Sequence, residues 1–152
     1  MFHELGHNHQ RGDWTFEGTG EVTNNLWSLY LSEHVGVKDA HPALKEREKR
    51  IKAYRDGGSK FEAWKADPFL ALVMYQQLQE AFGWDAFKKV FAEYEGLARA
   101  DRPRNDDEKR DQWMARFSKA VGRNLGPFFE TWGVPVSAKA RDAVKDLPEW
   151  KP

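Results

Sequence analysis

The sequence predicts a mainly α-helical protein that forms a single domain over residues 1–152. Its length suits one domain with a buried core, and aromatic side chains make up 14% of it, including seven Trp and ten Phe. Between segments that carry Gly and Pro, apolar residues recur at spacings of three and four positions, which is typical of amphipathic helices. Together these features indicate a folded helical domain.

Cap residues, Gly and Pro mark the helix boundaries in the first part of the chain. We expect, in chain order, a helix over 2–10, a loop over 11–20, a helix over 21–34, a charged helix over 43–55 and a turn over 56–59. Thr19 has a side chain suited to cap the helix that follows it, and Gly36 suits the end of that helix. Pro42 suits the first turn of the charged helix.

The second part of the chain holds the most apolar segments. We expect helices over 69–82, 85–97, 108–121, 126–132 and 137–144, a polar connection over 100–107, an extended segment over 133–136 and a tail over 147–150 that packs back. Asp67 and Pro68 open the first of these helices, and Gly83 closes it. Ser137 is suited to cap the last one.

Composition and charge exclude several classes of function. The chain has no Cys, which excludes disulfide scaffolds, thiolate metal sites and cysteine nucleophiles. Its 24 basic and 24 acidic residues leave no net charge, so nothing favours nucleic acid or an anionic membrane as a partner. The longest apolar run, residues 69–75, is too short for a transmembrane helix. The charge is uneven, because residues 1–40 carry a net charge of −4 and four of the five His.

The pattern with the clearest chemistry is His3-Glu4-Leu5-Gly6-His7, an H-E-x-x-H motif. On a helix, positions i and i+4 share one face, so the two His can bind one metal ion. Zinc binds neutral imidazole readily, and its catalytic sites keep three protein ligands and a water. Glu4 lies beside the His pair, where its carboxylate can accept a proton from the metal-bound water.

A third protein ligand is required, and Glu21 is the strongest candidate. It follows His7 after thirteen residues and starts the next predicted helix, so the loop can fold it back onto the His pair. Glu17, within that loop, is the rival. His9 stands two positions after His7 and points to a different helix face. Gln10 occupies the position at which the longer metzincin motif has Gly, so that motif is excluded.

Further polar and aromatic residues are candidates for supporting roles. Asn24 and Asn25 follow Glu21 on the same helix, and their amides can hydrogen-bond the ligating groups or contact substrate. Trp14 lies in the loop between the ligands, where it either lines the cleft or anchors the loop. A second electrophile for the oxyanion is expected in such a site, and the candidates are Tyr75, Tyr30 and His34. Each of these three also fits a structural role, and Tyr75, at the end of an apolar run, fits the core best.

Over nearly its whole length the chain resembles the enhancin-like and mucin-degrading zinc metallopeptidases, peptidase family M-sixty, and the first thirty residues are the specific part of the resemblance. The segments that carry the resemblance are residues 2–10, 20–25, 28–30, 82–87, 124–129 and 132–133. The family signature is H-E-x-G-H-x-x-Q followed by a ligating Glu. The resemblance implies that His3, His7 and Glu21 bind one Zn²⁺ ion and that Glu4 is the catalytic base. Gln10 matches the Gln of the signature.

The resemblance also implies a fold and an activity. The fold is the helical C-terminal part of a zincin catalytic domain of the gluzincin type, with metal-site helices in residues 1–35, a helical subdomain in 36–152 and a sheet-containing half upstream. The activity is that of a zinc-dependent metalloendopeptidase that hydrolyses peptide bonds in proteins or glycoproteins, and several members act on O-glycosylated, mucin-type substrates. Most members are secreted or attached to the cell surface, although this chain shows no signal sequence.

Two alternatives to the enzyme stay open. Vertebrate relatives with degenerate motifs act as channel-associated factors, so the chain can instead be a non-catalytic helical binding module with a remnant metal site. The intact motif favours the enzyme. A structural zinc site is a weaker alternative, because it would need His9 as a fourth protein ligand.

Overall fold

The computed structural model describes residues 2–36 and 46–152, and the regular elements in this part of the chain are helices. The mainly α-helical class is therefore confirmed. The helices are α1 (Phe2–His7), α2 (Gly20–His34), α3 (Arg47–Asp56), α4 (Phe61–Ala66), α5 (Pro68–Glu95), α6 (Asp106–Val121), α7 (Gly126–Thr131) and α8 (Ala138–Asp142). A short 3₁₀ turn at Arg99–Asp101 precedes α6. No described helix combines the length and hydrophobicity that a membrane crossing requires.

The first two helices pack against each other and are joined by the loop over residues 8–19. The first helix ends at His7, three residues earlier than predicted, and the chain then turns. Thr19 occupies the cap position of α2, as predicted, but its hydroxyl donates to the Phe16 carbonyl at 2.7 Å and does not cap the helix. The Thr19 side chain therefore shapes the end of the loop.

The long helix α5 forms the centre of the fold and packs against α2, α3, α4 and α6. It begins as predicted, because the Asp67 carboxylate accepts hydrogen bonds from the backbone N–H groups of Phe69 and Leu70, each at 3.0 Å. Gly83 has φ 75° and ψ 173°, which breaks the helix into two segments at the predicted boundary. Every residue from 70 to 75 is buried, so the most apolar segment supplies the core.

The segment between the turn at residues 56–59 and α5 contains a helix that the sequence analysis did not predict. This helix, α4, is only six residues long, and its Trp64 is completely buried. The Trp64 ring stacks between Phe16 of the loop and Phe61, at centroid distances of 6.0 and 5.8 Å. Of the predicted charged helix over 43–55, α3 covers Arg47 onward, and Pro42 and residues 43–45 lie outside the described residues.

The C-terminal elements follow the predicted order. Asn105 caps α6 and Ser137 caps α8, each through a side-chain oxygen that accepts a backbone N–H. The tail packs back, as predicted, because the Trp150 ring lies 4.9 Å from Phe82 and 5.0 Å from Phe128. An isolated parallel bridge between residues 124 and 149 holds the tail in place.

Two glycines with the same backbone conformation provide a test of this packing. Gly133 (φ 64°) and Gly122 (φ 65°) are both left-handed, but a Cβ at 133 would overlap the Ser59 carbonyl oxygen, whereas a Cβ at 122 has nothing within 4 Å. We expect Gly122→Ala to lower the free energy of unfolding by about 1–2 kcal/mol. We expect Gly133→Ala to lower it by about 3 kcal/mol or more, since steric overlap adds to the backbone cost. If urea denaturation gave both variants the same loss of unfolding free energy, this would contradict the close approach of position 133 to Ser59.

Candidate metal centre

Three side chains from the first two helices form a cluster suited to a metal ion. His3 and His7 lie one turn apart on α1, and Glu21 lies in the first turn of α2. Their potential ligand atoms all lie within 4.8 Å of one another. Nε2 of His3 is 3.3 Å from one Glu21 carboxylate oxygen, and Nε2 of His7 is 4.0 Å from the other. The structure thus brings together the three residues that the sequence predicts as ligands.

Amide oxygens hold both imidazole rings in a defined orientation. Nδ1 of His3 lies 3.2 Å from Oδ1 of Asn25, and Nδ1 of His7 lies 2.9 Å from Oε1 of Gln10. An amide oxygen can only accept a hydrogen bond, so each Nδ1 carries the proton. When such a ring carries a single proton, its lone pair is on Nε2, the atom that faces Glu21. This is the tautomer that metal binding through Nε2 requires.

Gln10 connects the end of the motif to the start of α2. While its amide oxygen contacts His7, its amide nitrogen donates to the Thr23 hydroxyl at 2.6 Å and to the Gly20 carbonyl. Thr23 is buried and donates in turn to the Thr19 carbonyl at 3.1 Å. One side chain therefore sets the ring of His7 relative to the helix that carries the carboxylate.

Asn24 fills the space between the two helices. It is completely buried, and its amide nitrogen lies 3.0 Å from Nε2 of His7, so it donates to the lone pair that a metal would take. Its amide oxygen has no hydrogen-bond partner among the described residues. A Cβ at Gly6 would overlap this oxygen, so the helices approach this closely only because position 6 has no side chain.

The cluster is accessible from one side. The side chains of His3, His7 and Glu21 are 40%, 39% and 53% exposed, while Asn24 and Asn25 are buried behind them. Glu4 is exposed and directly follows His3 on α1. A metal held here would keep an open position toward solvent, which is the arrangement of catalytic rather than structural zinc sites.

The rival ligands point elsewhere. The Glu17 carboxylate forms an ion pair with Lys65 at 2.5 Å, and the Glu17 backbone N–H donates to Asp106 at 3.2 Å. The ring of His9 packs against Trp27 with a centroid distance of 5.6 Å. Neither residue belongs to the cluster, which in the described part of the chain consists of three candidate ligands and does not include His9.

The predicted cleft and oxyanion residues occupy structural positions. Trp14 is buried against Phe91, with a centroid distance of 4.9 Å, so it anchors the loop and does not line a cleft. Tyr75 is buried and stacked on Trp113, and burial raises the pKa of its hydroxyl well above the usual value. A substrate has no access to either side chain, which corrects the prediction of substrate contact for both.

The remaining two candidates for the oxyanion electrophile contact each other. The ring of His34 lies 3.9 Å from the ring of Tyr30, and its Nδ1 donates to the Tyr30 carbonyl at 2.8 Å. Both lie on the second half of α2. Since a helix rises about 1.5 Å per residue, Tyr30 is about 13 Å along the axis from Glu21. The described residues therefore place neither of them at the cluster.

The roles of Gly6 and Thr23 were missed by the sequence analysis. The signal for Gly6 was a glycine inside a helical motif. Since glycine lowers the stability of a helix, its presence there indicates that another segment packs close to it. The signal for Thr23 was a run of three polar residues, 23–25, on a helix whose neighbouring positions are apolar. All three are buried, because Asn24 and Asn25 contact the histidines and Thr23 contacts Gln10.

Comparisons with known proteins show what the chain is similar to. Residues 1–133 match the family described as "Peptidase M60, enhancin and enhancin-like". The chain is 47% identical to TRPM8 channel-associated factor 2 of Bos taurus and 46% identical to a TRPM8 channel-associated factor homolog of Danio rerio, over 98% and 97% of its length. It spans 16% of each of these relatives. A functionally unknown conserved protein of Bacillus anthracis superposes with a TM-score of 0.84 at 31% identity, over 99% of this chain and 31% of that one.

The close approach at position 6 leads to a test with a matched control. Gly6→Ala should lower the free energy of unfolding by about 1–3 kcal/mol, because the new methyl group must displace the buried Asn24 side chain. Gly20→Ala adds the same group at a helical position that has nothing within 4 Å, and it should be neutral or slightly stabilising. Chemical denaturation of both variants measures the difference. Similar stabilities would show that the helices have room for a side chain at position 6.

Proposed function

Because the chain belongs to the peptidase M60 family of enhancin and enhancin-like proteins, we propose that it carries the zinc centre of a metallopeptidase. His3, His7 and Glu21 are the proposed ligands of one Zn²⁺ ion. The observation that carries the proposal is the shared orientation of the two rings. In each, an amide oxygen holds Nδ1 and leaves Nε2 to face the same carboxylate.

The donor set fits zinc. Two imidazole nitrogens and one carboxylate match the ligand types of catalytic zinc sites in peptidases, and the amides of Asn25 and Gln10 supply the outer hydrogen bonds that such ligands need. The partly exposed ligands leave one side free for substrate. When bound, zinc supplies a Lewis acid that polarises a carbonyl and lowers the pKa of water.

Glu4 is the proposed catalytic base. Its carboxylate is exposed, follows His3 on α1 and has no hydrogen-bond or ionic partner among the described residues, so it is free to accept a proton. In peptide hydrolysis it would take a proton from the attacking water and pass it to the leaving amine. The C–N bond then breaks, the amine leaves as a neutral amine that carries this proton, the carbonyl carbon keeps the hydroxyl as a carboxylic acid, and the Glu4 carboxylate is restored.

The substrate and setting are proposals for the full-length parent. We infer a protein or glycoprotein substrate, with O-glycosylated, mucin-type proteins as the narrower case, and a secreted or cell-surface location. The support is the family, because its peptidases are expected to act on proteins and several members are directed at O-glycosylated, mucin-type substrates. The chain would then be the helical C-terminal part of the catalytic domain, with further parts of that domain upstream.

A second candidate function comes from the named relatives. The curated proteins at 46–47% identity are named channel-associated factors, and their names state no proteolytic activity. A non-catalytic module that contacts another protein would fit those names. The two candidates differ in zinc binding and hydrolysis, which the following experiments measure.

Metal analysis tests the ligands. We expect the chain to bind about one zinc ion, and we expect His7→Ala and Glu21→Ala each to weaken binding at least about 100-fold, since three protein ligands hold the ion. His9→Ala is the matched control, because His9 lies on the same segment but packs on Trp27, and its zinc affinity should be unchanged. Isothermal titration of chelator-treated protein gives the affinities. A folded chain that binds no zinc would support the non-catalytic module. A loss of zinc affinity in His9→Ala would instead support a structural zinc site with His9 as the fourth protein ligand.

Activity in the full-length parent tests the base. Glu4→Gln should keep stoichiometric zinc but lower kcat/KM for a protein substrate by about 10²- to 10⁴-fold, because it removes only the proton acceptor. Glu130→Gln changes an exposed Glu on α7, far along the chain from the cluster, and should keep full activity. Normal cleavage by Glu4→Gln would overturn the assignment of the base.

A further inference from the structure

A small apolar pocket lies between α2 and the second segment of α5. It has a volume of about 90 Å³ and is open on one side. Its apolar wall is formed by Leu26, Trp27, Tyr30, Trp84, Phe87 and Phe91. The Tyr30 and Trp84 rings meet edge to face at 5.3 Å, and the Trp27 and Phe91 rings stack at 6.0 Å. The pocket is thus a set of packed aromatic rings with unfilled space between them.

A cation lines this pocket. Lys88, the charged lining residue in the described part of the chain, has its ammonium 5.1 Å from the centre of the Tyr30 ring. A hydrogen bond to the Tyr30 hydroxyl raises the pKa of Lys88, so the ammonium is charged at neutral pH. Its nearest carboxylate, Asp85, is 3.6 Å away but almost fully exposed, and it neutralises the charge only weakly.

The two indole N–H groups of the wall are not open to a ligand. The indole N–H of Trp27 is shielded from solvent and has no hydrogen-bond partner among the described residues, and the indole N–H of Trp84 donates to Glu33 at 2.5 Å. The wall therefore offers an apolar surface and the ammonium of Lys88, so a complementary ligand brings an apolar body and a negative charge.

We propose that this pocket binds a small apolar carboxylate, with a single aromatic ring or branched alkyl group between the rings and the carboxylate at Lys88. The size of the ligand follows from the volume. An apolar cavity of about 150 Å³ encloses benzene, so a pocket of about 90 Å³ that is open on one side accommodates one ring or one branched chain.

The pocket is close to the metal cluster but does not include it. Trp27 lies six residues beyond Glu21 on α2, which corresponds to about 9 Å along the helix axis. The ring of His9, two residues after His7, also packs against the Trp27 ring. A carboxylate can also bind a metal directly, so the test uses chelator-treated protein, and its outcome is independent of the zinc proposal.

Three matched probes test the ligand class. N-acetylphenylalanine has the ring and the carboxylate, its amide has the ring without charge, and phenylethylamine has the ring with positive charge. We expect the carboxylate to bind with a Kd of about 1 mM and to shift the Trp27 indole resonance in ¹H–¹⁵N spectra, which Trp27→Phe assigns. The amide and the amine should bind at least about tenfold more weakly.

Two neighbouring lysines provide the matched variants. Lys88→Gln should weaken carboxylate binding about tenfold and remove the preference over the amide. Lys89→Gln removes the same charge from a residue that contacts the Ala120 carbonyl and does not line this pocket, so it should bind as the unchanged chain does. Any of three results would overturn the proposal. These are equal affinities for all three probes, an equal loss of carboxylate affinity in the two lysine variants, and a Trp27 resonance that does not shift.

Discussion

The close approach of α1 and α2 at Gly6 is the contact on which the metal cluster depends. A helix of six residues is too short to be stable by itself, so the position of α1 comes from what it packs against. The Asn24 side chain lies where a Cβ at Gly6 would be, and it reaches Nε2 of His7 from there. A larger residue at position 6 would displace the Asn24 side chain and separate the two helices that carry the cluster.

The loop between the ligands attaches this pair of helices to the rest of the domain. Trp14 is buried against Phe91, and truncation of such a buried ring costs about 3–5 kcal/mol. The ion pair of Glu17 with Lys65 is partly exposed and contributes far less than this burial. Because the buried Trp14 ring contributes more free energy than the ion pair, the aromatic core, rather than the charges around it, holds Glu21 in reach of the histidines.

The local features of the fold and site could be predicted from sequence, and the long-range ones could not. The spacing of His3 and His7 fixes their shared face within one helix turn, so the motif alone indicates a metal pair. The helix α4 was missed because six residues are too few to show a period, and Trp64 is buried only through rings distant in sequence. Tyr75 looked like a candidate for catalysis because a buried and an exposed Tyr are identical in a sequence.

The negative charge of the first part of the chain is consistent with a cation at the cluster. Most of its described acidic side chains already have a donor or cation nearby, and these are Asp13, Glu17 and Glu33. Glu21 is different, because it faces only His3 and His7. With Nδ1 of each ring protonated and held by an amide, both rings present lone pairs to a carboxylate. A positive charge at this point balances the Glu21 carboxylate, and a divalent metal ion would supply it with ligands of the kind that it prefers.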